Sequence, residues 1–292
     1  MRIALVPNRE KADALAAAAE LRDLLTPVAD ALIATDSAAE TLAALKPDLL
    51  VVLGGDGSLL AVAQAMAEID VPVVGVNFGK LGYLAAYSID DFRRHLPQIL
   101  AGNAPMTERL MLQAGIYLCG LDRATPQNVS EMLKQKPIAH AVALNDVVIN
   151  AGDPFRVVEL EVQINGARTT TFRSDGVIVS TSSGSTGYNL SAGGPLITPD
   201  VHAMVLTPIC PHSLSFRPVV LADSAHVVIV PHHLNAGSKV NFDGQTTFPL
   251  REGECLLIRR WPKPLKLIEN PEISHWQMLG AKLQWARSPS QK

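Results

Sequence analysis

Five consecutive residues, Gly54-Gly55-Asp56-Gly57-Ser58, combine types that do chemistry together. They follow the apolar run LLVVL and precede LLAVAQAM, so the glycines fall where a buried strand turns into a helix. Free amides and the positive end of the helix dipole make such a junction an anion site. The acid at 56 is at odds with that. An unpartnered carboxylate beside a triphosphate costs on the order of a kcal/mol or more, even when screened. It becomes useful where a phosphoryl donor meets an alcohol, because it can orient or deprotonate the attacking hydroxyl. Gly-Asp-Gly is also ordinary turn chemistry, but that reading gives no cause for strand, paired glycines, acid and helix coming together. No Gly-Lys-Ser/Thr follows, which excludes a Walker A loop, and Leu60 stands where a dinucleotide fingerprint has its third glycine.

A second constellation covers residues 173–199, RSDGVIVSTSSGSTGYNLSAGGPLITP. The apolar run VIVS lies between Ser-Asp-Gly and a loop rich in glycine and hydroxyls. Such a loop offers amides and hydroxyls to phosphate or ribose, and Tyr188 offers a face to a base. Gly184-Ser185-Thr186-Gly187 lacks the spacing of a nucleophile elbow. A plain surface loop is the competing reading. In ALNDVVIN, Asn145 and Asp146 precede a short strand. They are either a turn or the amide and carboxylate acceptors that commonly hold a ribose diol.

The elements that must position these residues follow from periodicity. Strand and helix patterns alternate over the first hundred residues: RIALVP, a helix over 10–25, DALIAT, a helix in DSAAETLAALK, LLVVL, a helix from Ser58, and VPVVGVN. Ser88 and Asp91 predict a capping box opening IDDFRRHLPQIL. That alternation predicts an α/β domain with a doubly wound parallel sheet over residues 1–104. β-Branched residues then take over, with hairpin signals at Asn165-Gly166 and Asp243-Gly244, and predict a β-rich domain over 105–265. Val158, Leu160, Val162 and Ile164 alternate with Glu159, Glu161 and Gln163 and lead into Asn165-Gly166, a strong hairpin signal. The polar stretch 122–137 is expected to be a mobile loop. In the tail, 266–292, Trp276, Leu279 and Leu283 predict a short amphipathic helix packing back on the first domain. Trp261, Trp276 and Trp285 are expected to serve packing or a subunit contact.

Net charge is −3, from 25 basic and 28 acidic residues, which speaks against nucleic acid as a partner. The 3 cysteines are scattered, suggesting a reducing, cytoplasmic setting. No run approaches a membrane span, and the N-terminal apolar run fits a first strand rather than a signal peptide. None of the 8 histidines has the helical spacing of a zinc site, so no protein metal ligands are assigned. Any magnesium should arrive with nucleotide phosphates.

Taken together, GGDGS, GVNFGKLGYL, LNDVVI, SDGVIVSTSSGSTGYNLSAGGP, PICPHSLSFRPVV, DGQ and LLIRR resemble the NAD kinase family over most of the chain. GGDG alone is shared with diacylglycerol and sphingosine kinases. The resemblance implies the NAD kinase/diacylglycerol kinase-like fold, with an ATP-binding N-terminal domain and an NAD-binding C-terminal one. It implies Mg²⁺-ATP-dependent phosphorylation of the adenosine-ribose 2′-hydroxyl of NAD to give NADP, by a dimer or tetramer. On the matching motifs, Asp56 would activate the hydroxyl, and Gly55, Gly57 and Ser58 would lie near phosphates. Asn145 and Asp146 would hold ribose hydroxyls, and Asp175 would contact the nicotinamide side. Thr186, Tyr188 and Ser191 would line the adenine side, with His212 near the cleft and Arg173 and Gln245 among the binding residues. Phe78 stands where the family often has arginine, Asp146 where glutamate is common, Ser182-Ser183 for Pro-Thr, and Gly187 for alanine. Two other readings share parts of the pattern: a lipid-type alcohol kinase, and a non-catalytic NADP-binding sensor.

Overall fold

The computed structural model describes residues 1–79, 82–119 and 127–283. The chain divides into two compact units, Met1–Glu108 with Leu265–Lys292, and Arg109–Pro264. The first unit contains β1 (Arg2–Pro7), α1 (Ala12–Leu25), β2 (Asp30–Ile33), α2 (Ala39–Leu45), β3 (Leu49–Leu53), α3 (Asp56–Ala65), β4 (Val73–Val76), α4 (Ile89–Leu100) and most of β5 (Met106–Arg109). The second runs through β6 (Leu112–Leu118), α5 (Val129–Met132), β7 (Ala139–Ala143), β8 (Asp146–Asn150), β9 (Val158–Ile164), β10 (Ala167–Ser174), β11 (Gly176–Thr181) and α6 (Tyr188–Ser191). It continues with β12 (Ala203–Ile209), β13 (Val219–Ala222), β14 (Val227–His233), β15 (Lys239–Phe242), β16 (Thr246–Pro249) and β17 (Glu254–Arg260). β18 (Leu265–Ile268) and α7 (His275–Leu283) return to the first unit.

In the first unit a six-stranded sheet has the order β2-β1-β3-β4-β18-β5. β1 pairs in parallel with β2 and β3, and β4 with β3 and β18. All five residues of β3 are buried, as a strand covered on both faces requires. Ala14, Ala18, Leu21 and Leu25 form one stripe of α1 in a core shared with Leu5, Val51 and Val74 of the sheet and with Phe92, Leu96 and Ile99 of α4. The capping box opens α4: Ser88 Oγ accepts the Asp91 N–H at 3.1 Å, and Asp91 accepts the Ser88 N–H at 3.3 Å. The tail contributes both a strand and a helix. In α7 the buried residues are Met278 and Leu279, whereas Trp276, expected on the packed face, is 57% exposed. Trp285 lies outside the described residues.

The second unit is a sandwich of two six-stranded antiparallel sheets, β10-β9-β14-β17-β6-β7 and β13-β12-β11-β8-β15-β16. Leu160, Val162, Ile229 and Leu256 of the first meet Val147, Val177, Val179 and Phe242 of the second in one core. Both expected hairpins form. Their turn residues Asn165-Gly166 (φ 52° and 79°) and Asp243-Gly244 (φ 53° and 70°) take the left-handed conformation that a tight right-twisted hairpin needs.

One local expectation fails, with a consequence for the neighbouring strand. Within the stretch expected to be a mobile loop, Asn128 caps α5 and Met132 is buried; residues 122–126 lie outside the description. The outer face of β9 is therefore not wet. Glu161 and Gln163 are 2% and 1% exposed, and Gln163 Oε1 accepts the Gln127 N–H at 2.7 Å. Glu161 accepts Gln163 Nε2 at 2.7 Å and meets His232 at 3.0 Å and Arg168 at 2.9 Å. Burial raises its carboxyl, but these partners win and hold it below the ordinary glutamate value. Glu161→Ala, which strands those donors, is expected to cost about 2 kcal/mol, read as a lower urea midpoint. An unchanged midpoint would show that the cluster contributes nothing.

Among the described residues no helix is long and apolar enough to cross a membrane.

Candidate active site

The strand order of the first unit reverses at β1, whose neighbours are β2 on one side and β3 on the other. In doubly wound sheets, ligands bind at the carboxyl ends of the strands at such a switch point. Asn8 follows β1 there and Gly54 follows β3. The Asn8 N–H donates to Leu53 O at 2.8 Å, and its Nδ2 donates to Ser58 Oγ at 3.0 Å. Asn8 is thus a member of the loop site that motif reading missed; only the sheet order reveals it.

The glycines divide by role. A Cβ on Gly54 would come within 2.4 Å of Ser58 Oγ, so this position must be glycine for the turn to close. At Gly55 and Gly57 a Cβ would meet nothing within 4 Å among the described residues, so packing does not require them. Helix α3 begins at Asp56, two residues earlier than the sequence suggests, with Gly55 as its N-cap. The acid therefore sits in the first turn, where the helix dipole favours a negative charge.

Its carboxylate is also held from outside the helix. Oδ2 accepts the Tyr83 N–H at 2.9 Å, and Oδ1 accepts those of Leu84 and Ala85 at 3.0 and 2.9 Å. A Cβ on Gly82 would lie 1.9 Å from Oδ1, so that glycine lets the chain wrap the acid. A carboxylate offers about four acceptor positions, two on each oxygen; among the described residues these bonds fill both on Oδ1 and leave one on Oδ2. The Tyr83 hydroxyl is buried with no hydrogen-bond partner among the described residues, and burial, then the charge of Asp56, push this phenol up. Phe78 packs against the first unit's core, as an aromatic can and an arginine would not.

In the second unit a cavity of about 310 Å³ is lined by Asn145, Asp146, Val148, Asn150, Tyr188, Asn241, Asp243 and Gly244. Its organiser is Asp243, whose carboxylate accepts the N–H groups of Leu144 (2.7 Å), Asn145 (2.7 Å) and Asp146 (2.9 Å). The Asp243 N–H returns a bond to Asp146 O at 3.0 Å. By its sequence context alone Asp243 belongs to a hairpin turn. The tertiary fold makes it the clamp that shapes the Asn145-Asp146 bend. Asp146 is 8% exposed, and its carboxyl is pushed up to about 7, first by burial and then by the charge of Asp243. Asn145 Oδ1 is buried with no hydrogen-bond partner among the described residues. Asp243→Asn turns one acceptor into a donor facing an amide. It is expected to cost about 2 kcal/mol of stability and to return the titration of Asp146 toward the ordinary aspartate range. Chemical denaturation and carboxyl-resolved NMR titration check the two effects.

The hydroxyl-rich loop is a short 3-10 turn, Ser183–Thr186, leading into α6. Asn189, fully buried, fastens it: Nδ2 donates to Ser185 O and Pro195 O at 3.1 and 3.0 Å, and Oδ1 accepts Thr207 Oγ1 at 2.7 Å. A Cβ on Gly184 would strike Asn145 O at 2.2 Å, so this glycine lets the loop press against the Asn145 bend. Tyr188 begins α6; burial raises its phenol, with added contributions from Cys210, Asp146 and Asp175.

Of the residues singled out in this unit, Asn145, Asp146 and Tyr188 share the cavity wall. Thr186 and Ser191 flank Tyr188 on the same loop but are not part of that wall. Arg173 is exposed and donates Nε to Glu159 at 2.8 Å, while its carbonyl accepts the His212 N–H at 2.9 Å. Asp175 and His212 are exposed. Gln245 is exposed too, its N–H closing the Asp243-Gly244 turn onto Phe242 O at 2.8 Å. Among the described residues no group of His, Cys, Asp and Glu is arranged to hold a metal ion.

Residues 5–104 match the family model for the ATP-NAD kinase N-terminal domain, and residues 144–270 that for the ATP-NAD kinase C-terminal domain. The NAD kinase of Syntrophotalea carbinolica is 38% identical over 238 residues, covering 82% of this chain and 78% of the relative. That of Aromatoleum aromaticum is 39% identical over 244 residues, covering 83% and 75%. Among solved structures, yeast NADH kinase complexed with NADH superposes with a TM-score of 0.85 at 22% identity, covering 100% of this chain and 90% of that one. An NAD kinase from Archaeoglobus fulgidus in complex with ATP gives 0.72 at 22% identity, covering 93% and 95%. At that identity the two structures speak to the fold alone.

Proposed function

The chain belongs to the ATP-NAD kinase family and is an ATP-dependent NAD kinase, and from that premise we propose how its residues divide the reaction. The first unit takes the triphosphate. The N-terminal amides of α3 and the uncrowded Gly55 and Gly57 offer the anion a close approach. No side chain of this chain is assigned to Mg²⁺, which would come bound to ATP and, when bound, would neutralise charge on the phosphate oxygens.

The observation that carries the assignment of Asp56 is that three amides fix its carboxylate at the first turn of α3 and, among the described residues, leave one acceptor position on Oδ2. That position accepts the hydrogen bond of the adenosine-ribose 2′-hydroxyl and aims its oxygen in line at the γ-phosphorus. A bond forms between the ribose oxygen and phosphorus, the bond to the β-bridging oxygen breaks, and ADP leaves. The hydroxyl proton passes to Asp56 and on to solvent. The second unit holds NAD: Asn145 and Asp146 take ribose hydroxyls, and Tyr188 faces the adenine. Thr186 and Ser191 support that side of the ligand, Asp175 meets the nicotinamide side, and Arg173, His212 and Gln245 complete the binding set. The buried, unpartnered Asn145 Oδ1 supports this role, since an orphaned acceptor is costly until a donor reaches it. A cytoplasmic homo-oligomer belongs to the same reading, supported by the scattered cysteines and the family resemblance.

Purified protein with ATP, Mg²⁺ and NAD, coupled to an NADP-specific dehydrogenase, is expected to give steady turnover. Binding of NADP without ATP consumption would contradict it.

A further inference from the structure

We propose that Cys119 and Cys255 form a redox-active dithiol, a modification site that an oxidant of the peroxide class converts to a cross-strand disulfide. In the ladder between β6 and β17, Cys255 stands opposite Tyr117 and Glu254 opposite Leu118. The pairing runs one residue further, where the Cys119 N–H donates to Gly253 O at 2.8 Å. Strand alternation then puts Tyr117, Cys119 and Cys255 on one face, with the two cysteines as diagonal neighbours. The residue directly opposite Cys119 is a glycine, so no side chain faces Cys119 across the ladder. The thiols are in hydrogen-bond contact and border the same apolar cluster, with Tyr117, Met132, Val228 and Leu257. Nothing in the kinase chemistry uses either of them.

The two sulfurs are not equivalent. Cys255 is fully buried, and its bond to Cys119, then burial, push its thiol well above the ordinary cysteine range. Cys119 is half-buried and is the sulfur that peroxide reaches. Peroxide oxidises the Cys119 thiol to sulfenic acid and is itself reduced to water. The Cys255 sulfur then attacks the Cys119 sulfur; the S–O bond breaks, and hydroxide leaves with the Cys255 proton as a second water. Two thiols and one peroxide give one disulfide and two waters. Because Cys255 resists ionisation, the second step is expected to speed up as pH rises.

The third cysteine, Cys210, is exposed at the end of β12 on the other sheet, so it must be told apart. The full chain and its Cys210→Ser variant are exposed to hydrogen peroxide, then analysed by thiol titration, intact mass and a non-reducing peptide map. In Cys210→Ser both remaining thiols are expected to disappear together. The mass falls by about 2 Da, one linked peptide carries Cys119 and Cys255, and dithiothreitol restores both thiols. In the full chain the same linked peptide appears. The proposal is overturned if Cys119 gains oxygen while Cys255 stays titratable, if the linkage joins separate chains, or if neither thiol reacts.

Discussion

Asp56→Asn is expected to lower kcat by about 10³-fold, the middle of the range for losing a positioned acid–base group. KM for ATP and NAD is expected to stay within about threefold, because the group acts on the reacting hydroxyl rather than on either substrate as a whole. The fold survives the change, but not without cost. The side chain accepts three amides from residues 83–85, and an asparagine can keep only those on its single oxygen. One N–H then faces an amide nitrogen, at a cost of about 1–2 kcal/mol. Steady-state kinetics, with circular dichroism to verify folding, separates the two effects. A variant turning over within about tenfold of the parent removes Asp56 from the chemistry.

Asp146→Asn is expected to pull stability and activity in opposite directions. Asp146 has its folded-state value raised to about 7 from an ordinary value of 3.8, by burial and then by Asp243. The folded protein therefore holds this proton more tightly than the unfolded chain does. The stabilisation from a protonated Asp146 is complete below about 3.8 and is lost as pH rises through about 7. An asparagine never ionises, so at pH 8 the variant should be the more stable protein by on the order of 3 kcal/mol. Near pH 4 the two should coincide. Urea midpoints across that range measure the difference; parallel curves would show that Asp146 does not titrate as described. Activity should move the other way. An ionised Asp146 gives ribose hydroxyls a charge-assisted acceptor, so kcat/KM for NAD should rise with pH through about 7 in the parent. It should lie about tenfold or more lower, and flat with pH, in the variant. On the proposed reading, the cavity carries this electrostatic cost for the sake of ligand binding.

How far the sequence reaches depends on how local the cause is. The Asn165-Gly166 turn, the Ser88–Asp91 capping box and the fully buried β3 follow from residues within a few positions of one another, and each formed as expected. The start of α3 was missed because Asp56 has the composition of a turn, and only the amides of residues 83–85 fix its carboxylate at a helix end. The covering of the outer face of β9 is not legible in its alternation, which records polarity, while α5 and Gln127 decide whether polar groups are covered. The spacing of Trp276, Leu279 and Leu283 puts Trp276 on the packed face, but α7 buries Met278 and Leu279 instead, a rotation that only packing sets.

Residue order along the chain was enough to specify the alternating first unit, the hairpins of the second, and the glycine loop with its acid, since propensity, period and turn chemistry act over short separations. Three-dimensional packing alone supplied Asn8 at the sheet's switch point, Asp243 as the clamp on Asn145 and Asp146, and the contact of Cys119 with Cys255. The partners in these three cases are 50, 98 and 97, and 136 residues apart, the last from 255 − 119. No local rule encodes a carboxylate's distance to an amide that far along the chain. Strand order and register set it, and through burial and neighbouring charge they also set how Asp146 titrates.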